Sequence, residues 1–245
     1  MSRNFELLQR AGKEDLLFGR GASDVPSNGN GRHELDLGSQ AYEEAVKLVQ
    51  RVFLFPNSHA PQGVVFSSVE GSGSSEICFR VGQVLASQNA RSVCLVDANL
   101  SMPSLHQLAG VGKSPGLTDA IVTPGPVKDF ATRIAGGNLW VVPPGSFTSE
   151  AQGSFASDRW RLRMAEFREE FSYILIDAPP ISSCGDAVLL GQVADGLILV
   201  VEANSTRRET ARMAKEAFEG AGVKLLGAVL NNRAIPNPQA LYQKL

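Results

Sequence analysis

Six short apolar runs, VVFSS, SVCLVDA, LWVVPPG, YILIDAPP, GLILVVEA and LLGAVLN, constrain this chain more than any other feature. Each is continuous rather than alternating in polarity, the pattern of a strand buried on both faces. Amphipathic stretches lie between them, at 76–89, 159–171 and 208–221. Strand and helix in alternation predict an α/β fold, a doubly wound and mainly parallel sheet with helices on both faces. Ligands of such sheets bind beyond the carboxyl ends of the strands. That rule singles out the turn after VVFSS, Asp97, Asp177 with the APP that follows, and the pair Asn231 and Asn232.

The chain ahead of the first run differs in character. Residues 5–18 hold enough Leu and Phe for a short helix. Residues 19–38, GRGASDVPSNGNGRHELDLG, are too rich in Gly, Ser, Asn and Pro to fold alone and predict a linker. Residues 39–53 regain a helical period, with Tyr42, Ala45, Val46, Val49, Val52 and Phe53 on one face. PNSHAPQG then breaks the helix. The expected division is a helix and linker over 1–38 and one domain over 39–245, a length that buries a substantial core.

Composition excludes more than it selects. The net charge of -2 gives no basic surplus, so neither nucleic acid nor anionic lipid is an expected partner. Cys78, Cys94 and Cys184 lack CxxC spacing and read as reduced, buried thiols of a cytosolic protein. His33, His59 and His106 are scattered, with no ligand partner at metal-site spacing. Residues 4–13 are polar and carry both charge signs, unlike a secretory leader. No apolar run approaches the roughly 20 residues that cross a bilayer. The expected location is cytoplasmic, with any membrane link made through a partner.

The turn after the first run reads SSVEGSGSSEICFRVGQVLA. Gly71 and Gly73 allow a sharp backbone turn, and a helix starting near Ser74 aims its positive end into that turn. This is an anion cradle, although a glycine pair between strand and helix also occurs as a tight connection with no ligand. Gly71-x-Gly73, with Asp97 ending the next strand, also mimics a dinucleotide-binding fingerprint. Against that reading, Glu76 takes the third glycine's place, and IDAPP has no role in that chemistry.

From residue 64 to residue 245 the order of motifs resembles the cytoplasmic P-loop domain of bacterial tyrosine kinases of the CpsD/CapB kind. SVCLVDANLSMPSLHQLAG resembles the family's Walker A′ strand with its Pro-x-Leu-His continuation. SPGLTDAI resembles a Pro-Gly-Leu-x-Asp element, and FSYILIDAPPISSCGDAVLLGQVADGLILVVEANST follows the Walker B region. VKLLGAVLNNRAIPNP resembles the last core strand and its Asn turn, and residues 39–53 resemble the helix before the core. The resemblance implies a P-loop NTPase fold of the ParA/MinD type, ATP or ADP with magnesium as cofactors, and a polysaccharide co-polymerase of the inner membrane as partner. It further implies a role in making exopolysaccharide or capsule and in controlling chain length.

Departures from the family pattern concentrate at the chemistry. The family loop reads Pro-Gly-x-Gly-Lys-Ser-Thr, and here Glu70, Gly71, Ser72, Gly73, Ser74, Ser75 and Glu76 stand in those places. Ser75 matches the magnesium-binding hydroxyl, whereas Ser74 replaces the lysine that reaches the β- and γ-phosphates. No lysine lies between Lys47 and Lys113, and Arg80, a turn into the following helix, is expected to point elsewhere. Asp97 matches the first Walker A′ aspartate and Asp177 the Walker B acid, but Asn99 and Ser101 replace a second aspartate and an arginine. Ser75, Asp97 and Asp177 thus keep half of a magnesium shell, with Asp97 and Asp177 the residues expected to carry any catalysis. The loop and Asn231 are expected to line the nucleotide.

A charge-assisted hydrogen bond is worth roughly 1.5–3 kcal/mol, so the missing lysine predicts about ten- to a hundredfold weaker nucleotide binding. Glu76 adds a negative charge that repels phosphate. The family's ring-forming Glu-x-x-Arg-x-x-Arg aligns with Glu44, Lys47 and Gln50, which keep one acid and one base. That face is either a weakened homo-oligomer interface or a solvated charged surface, because lysine cannot reproduce a bidentate guanidinium contact. The family's tail carries a tyrosine cluster, but of the three tyrosines here only Tyr242 lies in the tail. A noncatalytic or weakly catalytic partner of a co-polymerase is therefore expected, with an active tyrosine autokinase as the alternative.

Overall fold

The computed structural model describes residues 33–54, 60–71, 73–88, 91–134, 137–146, 154–183 and 185–232, with 33–40 and 154 described as backbone alone. The predicted helix at 5–18, most of the predicted linker, Ser72, Cys184 and Tyr242 lie outside those residues. The chain divides into two units, Met1–Glu44 and Ala45–Leu245. Helix α1, His33–Val49, begins inside the stretch expected to be linker, and a π-helical turn, Gln50–Leu54, prolongs it. The six residues HELDLG thus belong to a helix, because Glu and Leu are good helix formers and a longer amphipathic segment follows to propagate it.

Seven strands form the sheet of the larger unit: β1 Gly63–Ser68, β2 Val93–Asp97, β3 Thr132–Arg133, β4 Leu139–Val142, β5 Tyr173–Asp177, β6 Gly196–Glu202 and β7 Leu225–Asn231. Their order is β3-β4-β2-β5-β1-β6-β7, and every pairing is parallel except the two-residue β3 against β4. All six apolar runs are strands, as their continuity predicts. The short β3 has two exposed residues and gives no apolar signal. Connections lead to one side of β1 for β2, β4 and β5, and to the other side for β6 and β7. The strand order therefore reverses at β1, where the glycine turn emerges.

Helices follow the apolar periodicity. Helix α2, Ser74–Gln88, buries Cys78, Val81, Val84 and Leu85. A Cβ at Gly82 would lie 2.5 Å from Leu95 Cδ2, so glycine is what lets the helix approach β2. Short helices α3, Leu105–Leu108, and α4, Leu117–Val122, follow β2. Helix α5, Asp158–Glu170, is capped by Ser157, whose Oγ accepts from the Trp160 amide, and buries Trp160, Met164 and Phe167. Each such side chain contributes about 1.5–3 kcal/mol by leaving water. Helices α6, Asp186–Val193, and α7, Arg208–Gly220, complete the cover. Cys78 and Cys94 are buried free thiols.

At the opposite edge of the sheet from the glycine turn, Asp195 ties three elements together. Its carboxylate accepts from the amides of Gln62 and Gly63 at 2.7 and 2.8 Å and from both terminal nitrogens of Arg168 at 3.1 and 2.9 Å. Partial burial pushes the Asp195 carboxyl up, but the hydrogen bonds from Arg168, Gly63 and Gln62 outweigh it and hold the group below the usual range. A depressed folded pKa adds stability above the unfolded value of about 3.9 and loses it as pH falls through the folded one. Asp195→Asn should therefore lower stability by about 1–2 kcal/mol at pH 7, discounted for solvent screening, with the gap closing below about pH 4. Urea titrations at pH 7 and pH 3 check this. An equal gap at both would show that the ionised form contributes nothing.

Candidate functional site

The site grows from the register of β2 and β5. Their parallel pairing sets Asp97 and Asp177 opposite one another at the carboxyl ends of adjacent strands, and both are fully buried. Phe66 of β1 pairs with Asp177 from the other side, so the turn after β1 opens beside the two acids. Gly71 and Gly73 both have φ of 71°, which favours glycine, and the Gly71 amide donates to Ser68 Oγ at 3.0 Å. The Ile77 amide donates to the Gly73 carbonyl at 3.2 Å, opening α2 directly behind the turn. A Cβ on Gly73 would come within 2.6 Å of Asn231 Nδ2, so Asn231 of β7 sits against the loop.

The carboxylates share few donors. Ser74 Oγ donates to Asp177 Oδ1 at 3.2 Å, and Asp97 Oδ2 receives the His106 amide at 3.2 Å and faces His106 Nδ1 at 3.1 Å. Among the described residues, Asp97 Oδ1 and Asp177 Oδ2 are buried with no hydrogen-bond partner. Burial, with the Asp97 charge beside it, pushes Asp177 up to about 7 despite hydrogen bonds from Ser75 and Ser74. Burial also raises Asp97, opposed by the contacts with His106. The Cys78 thiol is raised well above its ordinary value by burial and by the charges of Asp177 and Asp97.

Two orphaned carboxylate oxygens on neighbouring strands suit a divalent cation, which takes oxygen ligands. Asp97, Asp177 and the half-buried Ser75 would hold it, and the amides of the glycine turn would face the phosphates. When bound, magnesium supplies positive charge shared with phosphate oxygens. No cluster of three or more His, Cys, Asp or Glu suited to a metal occurs among the described residues, so the two carboxylates would form only part of such an ion's shell, the rest being hydroxyls, water and the bound molecule.

Ser74 is buried, and its neutral hydroxyl is turned onto Asp177. Glu76 is exposed and pairs with Arg80 Nη2 at 3.0 Å, one turn along α2. Arg80, expected to point elsewhere than into the turn, is engaged by Glu76. The i,i+4 spacing brings it back to the first turn, where it offsets the charge of Glu76. Glu44 and Lys47 are exposed on α1, and Gln50 is half-buried in the π-helical turn, away from the carboxylate pair in sequence and element. Asn99 is buried and accepts the Met102 amide at 3.3 Å, closing the loop after β2.

His106 is the residue that sequence reasoning passed over. Its isolation from other histidines hid it, because its partner is an aspartate nine residues earlier. The signal was present in the segment PSLH following Asp97, which resembles the family's Pro-x-Leu-His run.

No protein-family model matches the chain. The chain is 30% identical to the tyrosine-protein kinase YwqD of Bacillus subtilis over 173 residues, covering 70% of this chain and 72% of that protein. It is also 30% identical to the tyrosine-protein kinase CpsD of Streptococcus agalactiae serotype III, over 66% of this chain and 70% of that one. The VpsO kinase domain superposes with a TM-score of 0.74 at 22% identity, covering 83% of this chain and all of that one, a likeness of fold. The MinD cell division protein of Aquifex aeolicus shares that fold at a TM-score of 0.60, 18% identity and coverage of 75% and 72%. The fold and site define a P-loop domain. The chain belongs to the bacterial tyrosine-protein kinase family, and the dinucleotide-binding reading is set aside.

If the buried pair is uncompensated without a cation, removing one charge should help the fold. Asp177→Asn should raise stability by about 1–3 kcal/mol in metal-free buffer at pH 8. Thermal unfolding checks it, and a lower melting temperature would show that the carboxylate already has a compensating partner.

Proposed function

We propose that this chain is a degenerate member of its family, with weak magnesium-nucleotide binding and little or no phosphotransfer. It acts with an inner-membrane polysaccharide co-polymerase in exopolysaccharide or capsule synthesis and chain-length control. The observation that carries the reading is Ser74: where the family has a cation, this loop has a neutral hydroxyl already engaged by Asp177. Binding loses one charge-assisted contact, and transition-state stabilisation loses more, because a phosphoryl group in flight depends on fixed positive charge. Glu76 and Arg80 support it further, since a carboxylate in the first turn keeps the nearest cation occupied.

Support for the partner comes from resemblance, and the described residues contain no helix long and apolar enough to cross a membrane. A membrane link would therefore run through another protein or through residues beyond those described. Glu44, Lys47 and Gln50 are the proposed remnant of a homo-oligomer face.

An active autokinase is the second reading, favoured by the retention of Ser75, Asp97 and Asp177 around the orphaned oxygens. The two readings separate on phosphotransfer. Purified protein incubated with magnesium ATP should show no phosphotyrosine by immunoblot or mass spectrometry. Strong labelling of Tyr242 that disappears in Asp177→Asn would establish the active kinase instead.

A further inference from the structure

β7 ends the sheet, and among the described residues no strand pairs with its outer edge. Two hydrogen bonds fix which backbone groups lie on that edge. The Val69 amide donates to the Val200 carbonyl at 3.2 Å, so Val200 faces β1 and its neighbours in β6 face β7. The Ala203 amide donates to the Asn231 carbonyl at 2.9 Å, so Asn231 faces β6. Alternation along the strand then turns the amides and carbonyls of Ala228 and Leu230 outward.

The two edges of the sheet are built differently. β3 is two residues long, antiparallel, and carries the exposed Arg133. Short length and charge are common protections of an open edge. β7 spans seven residues, LLGAVLN, with neither charge nor proline among them. Its register sets Ala228 beside Leu199 and Leu230 beside Val201, and those two β6 residues pack with Ala214 and Phe218 of α7. Ala228 and Leu230 therefore lie on the face that α7 covers. The cover is incomplete: Leu230 is 51% exposed, and Met213 of α7 is 61% exposed. Apolar side chains and open backbone groups thus share one flank.

The charges of α7 have a direction. Residues 207–213 hold three arginines and one glutamate, and residues 214–220 hold one lysine and two glutamates. That polarity runs against the helix macrodipole, which favours acids at the amino end and bases at the carboxyl end. Arg212 and Glu216 pair along the helix at 3.5 Å, yet both are largely in solvent and free to reach further. α7 connects two parallel strands, so it runs antiparallel to β7, and the middle of the helix lies over the middle of the strand.

We propose that the β7 edge is a docking surface for a second copy of this chain, joined by antiparallel β7–β7 pairing about a two-fold axis at Val229. The axis stands perpendicular to the sheet, so one continuous sheet crosses both copies. Ala228 then exchanges amide and carbonyl with the second copy's Leu230, a small side chain opposite a large one. Val229 meets its own copy in the close, non-hydrogen-bonded position that suits β-branched pairs. The same axis sets the two α7 helices antiparallel on one face, which brings Arg212 opposite the second copy's Glu216. Strand and helix charges are thus self-complementary about one axis, and that agreement selects a second copy over an unrelated partner.

Sedimentation equilibrium of the full chain from micromolar to submillimolar concentration, with amide hydrogen exchange at both ends of that range, tests this. Expected are a monomer–dimer equilibrium and protection of the Ala228 and Leu230 amides that rises with protein concentration. Leu230→Lys should weaken dimerisation at least tenfold, because a charge then sits where the edge is covered. Arg212→Glu should weaken it at least threefold, since two symmetry-related contacts change sign, and adding Glu216→Arg should restore it. Circular dichroism of each variant establishes that it is folded. A chain monomeric throughout, an oligomer indifferent to Leu230→Lys, amides at 228 and 230 indifferent to concentration, or no recovery in the double variant would each overturn the assignment. No nucleotide enters these measurements, so their outcome is independent of the reading of the glycine turn.

Discussion

Two carboxylates lie side by side in the interior, and the rest of the site is arranged around that fact. Asp97 and Asp177 end neighbouring strands in register, with no exposed surface between them. Burying like charges together is costly, and a protein relieves it by protonation, by donors, or by a cation. Here the donors are incomplete: Ser74 and Ser75 reach Asp177, His106 reaches Asp97, and one oxygen of each acid is left over. The parallel sheet supplies the strand ends, and the strand-order reversal at β1 opens the turn beside them. A cation bound with an anion would relieve that cost at this place in the fold.

On the proposed reading, what the loop lacks is the fixed positive charge that would make the anion's presence tight and its transfer fast. Ser74 cannot substitute, because a hydroxyl carries no net charge and is already spent on Asp177. Arg80 is near enough to reach the first turn of α2 yet is paired with Glu76. The exposed pair is worth little in stability, about 0–1 kcal/mol, but it offsets the Arg80 charge beside the turn.

Much of this was legible in the sequence, and the reasons are specific. Continuous runs such as YILID announce a strand buried on both faces, and all six runs lie in the sheet. The amphipathic stretch read at 159–171 gave α5 within a residue at each end. β3 was illegible because Thr132 and Arg133 are exposed and bury nothing. The start of α1 was missed because HELDLG looks like linker when judged by composition beside a Gly- and Ser-rich segment. In the site, Gly71, Gly73, Asp97 and Asp177 announce themselves by type and position, whereas His106–Asp97 and Arg80–Glu76 are contacts of the folded chain. Side-chain direction decides those, and sequence spacing alone does not carry it.

The central claim is that the missing lysine, with Glu76 beside it, is what separates this loop from a tight phosphate cradle. Calorimetry of magnesium ADP against the native chain and against Ser74→Lys combined with Glu76→Thr tests it most directly. The account predicts weak binding to the native chain and at least tenfold tighter binding to the double variant, since one charge-assisted contact is restored and one repulsion removed. Tight binding to the native chain, or equal binding to both, would contradict it.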